Sequence, residues 1–282
     1  MKLARFQHQG RVRLGVVEGA EILDLSSVDD TLPTDIGDLL RGPGLDAVRL
    51  DVPHALRLPM AAVQLLAPLA RPGKFLGIGR NYAAHAAERG GALAQGFPVF
   101  FNKQTSCVGG PFDPIIIPAV SEQVDYEGEL GMVIGKTARH VSAQQARAFV
   151  AGFLVVNDVS VRDWQSKSPT MTLGKSFDTH GPIGPWLVTT DEVADPHQLR
   201  IRTWVSGELM QDASTAEMIW NCWQQIEVLS TACTLEPGDI ITTGTPAGVG
   251  SARQPPRWLR DGDSVRVEVE GIGAIENPVV RA

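Results

Sequence analysis

Residues 124–135, Val-Asp-Tyr-Glu-Gly-Glu-Leu-Gly-Met-Val-Ile-Gly, crowd carboxylates into a stretch otherwise built for burial. Read as a strand, its side chains alternate between two faces. Val124, Tyr126, Leu130, Met132 and Ile134 share one face, suited to a core. Asp125, Glu127 and Glu129 share the other. Carboxylates on one face repel one another unless they are solvated, protonated or neutralised by a cation. The hard cations Mg²⁺, Mn²⁺ and Ca²⁺ neutralise such a set, and a solvated outer face is the plainer alternative. Asp158 ends the apolar run Gly152-Phe-Leu-Val-Val156-Asn157, where a carboxylate can point into a cleft. Asp is also common there as a turn or cap residue.

Other residues could complete a site. In the Ala-rich run Tyr82–Arg89, His85 and Glu88 stand three apart and share a helix face. A carboxylate beside an imidazole raises its basicity and fixes its orientation, as a general base requires, although an exposed charge pair has the same spacing. The glycines flanking this run as far as Gly96 suggest a mobile cover. Lys175 reads as a cation facing anionic chemistry or as a plain salt-bridge partner. Gly244-Thr-Pro-Ala-Gly-Val-Gly250 offers backbone N–H groups to a carboxylate or carbonyl oxygen. Gly77-Ile-Gly-Arg-Asn-Tyr82 lacks the third glycine of a dinucleotide fingerprint. Gly174-Lys-Ser lacks the first glycine of a P-loop, Pro169 standing in its place, so nucleotide binding is rejected.

The elements that must hold these residues are short and turn-rich. The 282-residue chain carries 29 Gly and 19 Pro, with 43% hydrophobic and 20% charged residues, as in a β-rich globular protein. Strand-like runs at Lys2–Gln7, Arg11–Val17 and Glu21–Leu25 read as hairpins turned at Gly10 and Gly19. Helices are expected around Ile36–Leu40 and Pro59–Leu66, from a capping box at Ser142–Gln145 to about Val150, and over Thr215–Cys233. Phe97–Asn102, Gly152–Val156, Trp186–Thr190, Leu199–Val205, Ile240–Thr243 and Ser264–Glu268 read as strands. The break at Arg71-Pro72-Gly73 divides a small N-terminal domain, residues 1–70, from a larger one, residues 71–282. A net charge of −7 and the lack of a basic stripe argue against nucleic acid. No apolar run is long enough for a membrane span, and Met1–Gln7 does not read as a signal peptide. Three cysteines without C-x-x-C spacing fit reduced thiols in a cytoplasmic protein.

From Lys74 onward the chain resembles the fumarylacetoacetate hydrolase family. The likeness rests on GRNYAAHAAE (79–88), DYEGEL (125–130), NDVSVRDWQ (157–165), GKSFDT (174–179) and PGDIITTGTPAGVG (237–250), in the family's order. It implies an α+β, β-rich fold, a mixed β-sandwich roll with a small N-terminal α+β domain, and a homodimer. It implies Glu127, Glu129 and Asp158 as ligands of Mg²⁺ (or Mn²⁺, or Ca²⁺), with Asp125 orienting. His85 and Glu88 match a water-activating dyad on a lid, and Arg162, Gln165, Lys175 and Thr245 match positions holding substrate oxygens. Leu173, where some members carry a basic residue, and His180, where an aromatic is usual, depart from the pattern. The activity implied is metal-dependent hydrolysis of a C–C bond in acylpyruvates or 2,4-diketo acids. Here the ion polarises a carbonyl and stabilises enolate charge. The same site also suits 2-oxoacid decarboxylation, tautomerisation, or isomerase and hydratase chemistry. A Ca²⁺-stabilised binding module would leave His85, Glu88, Lys175, Arg162 and Gln165 without a task.

Overall fold

The structure is a computed structural model that describes residues 1–49, 52, 54–88, 90 and 96–282. One large sheet follows the strand order Leu56–Pro59, Glu21–Asp24, Arg11–Glu18, Lys2–His8, Gly181–Thr189, Val150–Asn157, Gly128–Ile134, Ile240–Thr242, Phe75–Gly79 and Val99–Lys103. The expected N-terminal hairpins are present, and their sheet does not stop at the Arg71–Gly73 break. Lys2 and Leu3 pair antiparallel with Val188 and Leu187, so the first residues extend the sheet of the larger part. A second sheet runs Glu208–Ser214, Arg200–Val205, Ser264–Val269, Gly273–Arg281 and Ile115–Ile117.

Strand alternation divides the cores. Leu130, Met132, Phe153 and Val155 point toward Ile201, Val267 and Ile275 of the second sheet and make a sandwich core. Val133, Leu154, Val156 and Ile183 point the other way, onto Leu3, Leu14, Ile36 and Leu39 of the N-terminal part. The β-rich architecture expected from composition and the α+β fold implied by the resemblance are the ones observed.

Several elements depart from the sequence pattern. The acidic stretch is not one continuous strand. Val124–Asp125 pairs with Ser160–Val161, and a new strand begins at Gly128. Between them the Glu127 amide donates to the Asn157 side chain, and the Gly128 amide to that of Gln211. These side-chain partners replace a ladder and turn the carboxylates inward.

After Ser142 only a 3₁₀ turn, Ala146–Phe149, forms, and the strand begins at Val150. The Ser142 hydroxyl bonds the Gln145 side chain rather than a backbone amide, so the helix start is uncapped. The expected long helix is split into Thr215–Glu217 and Cys222–Ala232, each with its own capping box. Asn81 captures both backbone groups of Trp220 between them. Residues 59–66 are two short strands around a 3₁₀ turn rather than a helix, since Leu56–Pro59 and Gln64–Leu65 both find sheet partners. Phe97–Asn102 is instead the strand Val99–Lys103, whose last residue becomes important below.

Candidate active site

Gly128–Ile134 and Val150–Asn157 run antiparallel with Gly128 opposite Asn157. The start of one strand therefore meets the end of the other, and Asp158 lands beside Glu127, whose carbonyl accepts its amide at 2.8 Å. Carboxylate oxygens of Glu127, Glu129 and Asp158 lie within 4.8 Å of one another. The three residues are only 5%, 1% and 0% exposed, which removes the solvated-face alternative.

Buried charge of this density needs partners. Lys175 Nζ lies 2.6 Å from Glu127 Oε2 and 2.5 Å from Asp158 Oδ2. Lys103 Nζ lies 2.7 Å from the other Asp158 oxygen and also donates to the carbonyls of Lys175 and His180. Arg162 reaches Glu127 through Nη1 at 2.7 Å and Asp125 through Nε at 2.8 Å. Asp125 takes two further bonds from the amides of Gly250 and Ser251, so it orients Arg162 and the loop. Among the described residues Glu129 makes no salt bridge. It accepts from the Thr242 hydroxyl and from the Gly244 amide at 2.7 Å.

Four carboxylates thus face three cations, and Glu129 is the one left over. Burial, reinforced by the charges of Asp158 and Glu127, pushes Glu129 well above the usual carboxylate range. Burial acts in the same direction on Glu127, but Lys175 and Arg162, with His85, outweigh it and hold Glu127 well below that range. A divalent ion fits this donor set: all its donors are hard oxygens, they converge, and Glu129 is held by neutral donors with no salt bridge among the described residues. Glu127, Glu129 and Asp158 are the residues that would hold it.

The short helix Ala83–Glu88 carries the dyad expected from its spacing. His85 Nδ1 lies 2.8 Å from Glu88 Oε1, and the Gly248 amide donates to Glu88 Oε2 at 2.9 Å. Asn81 roots the helix, donating to the carbonyls of Trp220 and Thr243. Residues 89 and 91–95, where much of the expected mobile cover falls, lie outside the described residues.

A cavity of about 640 Å³ opens over the cluster, lined by His85, Glu127, Arg162, Gln165, Lys175 and Thr245 among others. Gly174 permits the Lys175 turn to press against the Arg162–Gln165 helix, where a Cβ would come within 2.2 Å of the Gln165 amide nitrogen. Within the cavity wall, Gln165 Oε1 accepts from Arg162 at 3.0 Å. The Thr245 hydroxyl donates to the Gly128 carbonyl and accepts from Gln211. The polar donors of Arg162 and Lys175 thus already serve the carboxylates. Leu173 is exposed and does not line the cavity. His180 is buried outside it, its Nε2 2.9 Å from the Ile116 carbonyl, and burial lowers its pKa to about 4.

Sequence reasoning missed Lys103, Asn81 and Thr242. The available signal for Lys103 was a lysine closing an apolar strand, an arrangement that needs a buried anion nearby. For Asn81 and Thr242 the partners lie more than a hundred residues away in sequence.

The family model for the fumarylacetoacetate (FAA) hydrolase C-terminal domain matches residues 74–280. The chain belongs to the fumarylacetoacetate hydrolase family. A second model, the Rv2993c-like N-terminal domain, matches residues 1–68. Among family relatives, the mitochondrial oxaloacetate tautomerase FAHD2B of Bos taurus is 44% identical over 99% of this chain and 92% of its own length. The fumarylacetoacetate hydrolase of Exiguobacterium antarcticum superposes with a TM-score of 0.90 at 39% identity, covering all of both chains. The maleylpyruvate hydrolase of Sphingobium sp. SYK-6, solved with manganese(II) and pyruvate, does so at 0.83 and 33%, again over all of both chains. The family is one of enzymes, and hydrolases, tautomerases and isomerases all stand among these neighbours.

Proposed function

We propose that the protein is a metal-dependent hydrolase of C–C bonds in acylpyruvates or related 2,4-diketo acids. The carrying observation is that the buried carboxylate cluster meets, at Glu127, the same cavity that holds His85. A bound Mg²⁺ or Mn²⁺ would supply Lewis acidity toward the keto-acid oxygens and stabilise developing enolate charge.

The chain's own residues supply the rest. With Nδ1 committed to Glu88, His85 keeps Nε2, which has no hydrogen-bond partner among the described residues, to take a proton from water. The resulting hydroxide adds to the distal carbonyl carbon. The bond between that carbon and the next breaks, its electron pair passing into the enol system of the pyruvyl fragment. The proton held on His85 returns to that fragment's carbon, so one carboxylic acid and one 2-oxoacid leave. Arg162 and Lys175 stand at the cavity wall as cations able to face the substrate's carboxylate, and Gln165 and Thr245 flank them. Burial of the cluster keeps these charge interactions strong.

Tautomerisation of oxaloacetate is a second reading, supported by the 44% identity to the bovine enzyme along nearly the whole chain. It uses the same base and the same enol chemistry without adding water.

The test follows the ultraviolet absorbance of enolised acylpyruvates and oxaloacetate with EDTA-treated protein, before and after Mg²⁺ or Mn²⁺ is restored. Metal-dependent release of a carboxylic acid and a 2-oxoacid is expected. Loss of enol absorbance from oxaloacetate with no carbon–carbon cleavage of any diketo acid would establish the tautomerase reading instead. Absence of metal-dependent turnover on all of them overturns both.

A further inference from the structure

Tyr126 sits inside the acidic stretch, between Asp125 and Glu127, yet faces away from the carboxylate cluster. Its ring is fully buried in the sandwich core. Its hydroxyl donates to the carbonyl of Gly248 at 2.9 Å. The amide of the same residue donates to Glu88 Oε2 at 2.9 Å, and Glu88 Oε1 holds His85 Nδ1 at 2.8 Å. Both backbone groups of Gly248 are therefore used, one by the carboxylate-bearing segment and one by the dyad. Gly248 has φ +106°, and a Cβ there would lie 2.1 Å from the Met210 carbonyl oxygen, so no other residue fits. These two backbone groups belong to the peptide units on either side of the Gly248 Cα, and at this φ no Cβ restrains the rotations between them, so their hydrogen-bond partners hold them.

We propose that Tyr126 is a positioning residue for the His85–Glu88 dyad, acting through the backbone on both sides of Gly248. The Tyr126 hydroxyl fixes the orientation of residue 248, residue 248 points its amide at Glu88, and Glu88 in turn sets the imidazole. The segment that bears Glu127 and the helix that bears His85 are thereby linked through this loop residue, beside the link from Asn81 through Thr243 to Leu130. The kinetic part rests on the hydrolytic function proposed above, whereas the structural part does not.

Tyr126→Phe removes the hydroxyl and keeps the ring in the core. Hydrogen–deuterium exchange of the metal-free protein is the first readout. Amides of residues 83–88 are expected to exchange about 5-fold faster or more in the variant, with the strand Gly128–Ile134 unchanged. Glu88→Gln, which weakens the same link from the other side, should loosen the same helix. Unchanged exchange over 83–88 in Tyr126→Phe overturns the proposal, even if the melting temperature falls, because the hydroxyl then serves the core alone.

The second readout is kinetic. Tyr126→Phe should lower kcat about 10-fold with KM and Mn²⁺ affinity within 2-fold of wild type. In the Glu88→Gln background it should cost less than 2-fold, because its route of action is already cut. Full additivity of the two substitutions overturns it. A wild type that turns over no keto acid refutes the hydrolytic function, and the exchange result then decides the Tyr126 link by itself.

Discussion

His85 and Glu127 meet the same cavity, and the proposed function gives them different work that substitution should separate. His85→Ala removes the proton acceptor and should lower kcat by roughly 10²- to 10⁴-fold. Its Mn²⁺ affinity, measured by calorimetry, should stay within about 2-fold, since His85 contributes no oxygen to the cluster. Glu127→Ala should do the reverse and lose metal first, with affinity falling by roughly 100-fold or more. A His85 variant that lost metal would place the imidazole in the ligand set and remove it as the base. The candidates were legible in the sequence as Glu-x-Glu in a strand and His and Glu one helix turn apart, while the roles proposed for them came from the family resemblance. Lys103 was not legible. Its meaning comes from Asp158, 55 residues on, and from two carbonyls brought close only by folding. Nor did alternation show which carboxylate stands apart. Asp125 shares a strand face with its neighbours in sequence, yet the Gly250 and Ser251 amides and Arg162 claim it.

At the scale of elements, the site depends on close approaches between short pieces. The turn bearing Lys175 lies on the four-residue helix Arg162–Gln165, and Gly174 is the point of contact. Gly174→Ala should therefore push Lys175 off Glu127 and Asp158. A stability loss of about 1–3 kcal/mol in urea unfolding is expected, with weakened substrate binding alongside it. An unchanged unfolding midpoint would show that the turn can give way without cost. The elements themselves were read unevenly from sequence. Hairpins turned at Gly10 and Gly19 follow local turn chemistry and were found. The helix expected after Ser142 failed because its serine hydroxyl bonds a side chain, and Gly135 and Lys136 draw the Phe149 carbonyl into the sheet. The Thr215–Cys233 pattern was broken by Asn81, which no periodicity within that segment could reveal.

At the scale of the molecule, Glu127 precedes and Glu129 lies in one central strand, Asp158 follows its neighbour, and Thr242 adds the next strand in the sheet. A cation bound there would favour the ionised form of Glu129 and tie three neighbouring strands together. Adding Mg²⁺ or Mn²⁺ at about 100 times its Kd should stabilise the native state by roughly 2.7 kcal/mol. The melting temperature should rise by about 5 °C and fall back with EDTA. Glu127→Ala should abolish most of that increment. An unchanged melting temperature in the wild type would mean that no divalent ion occupies the cluster.

The pairing of Lys2 and Leu3 with Val188 and Leu187 also bears on how the chain can be cut. Two family models meet between residues 68 and 74, which invites treatment of the halves as interchangeable modules. The sheet ignores that seam. Leu154, Val156, Ile183 and Ile240 lean on Leu3, Leu14, Ile36 and Leu39, and severing the chain at the seam would bare this apolar face and the strand edge beside it. The first 68 residues thus cover one face of the large sheet, and a protein shortened at the seam is expected to aggregate.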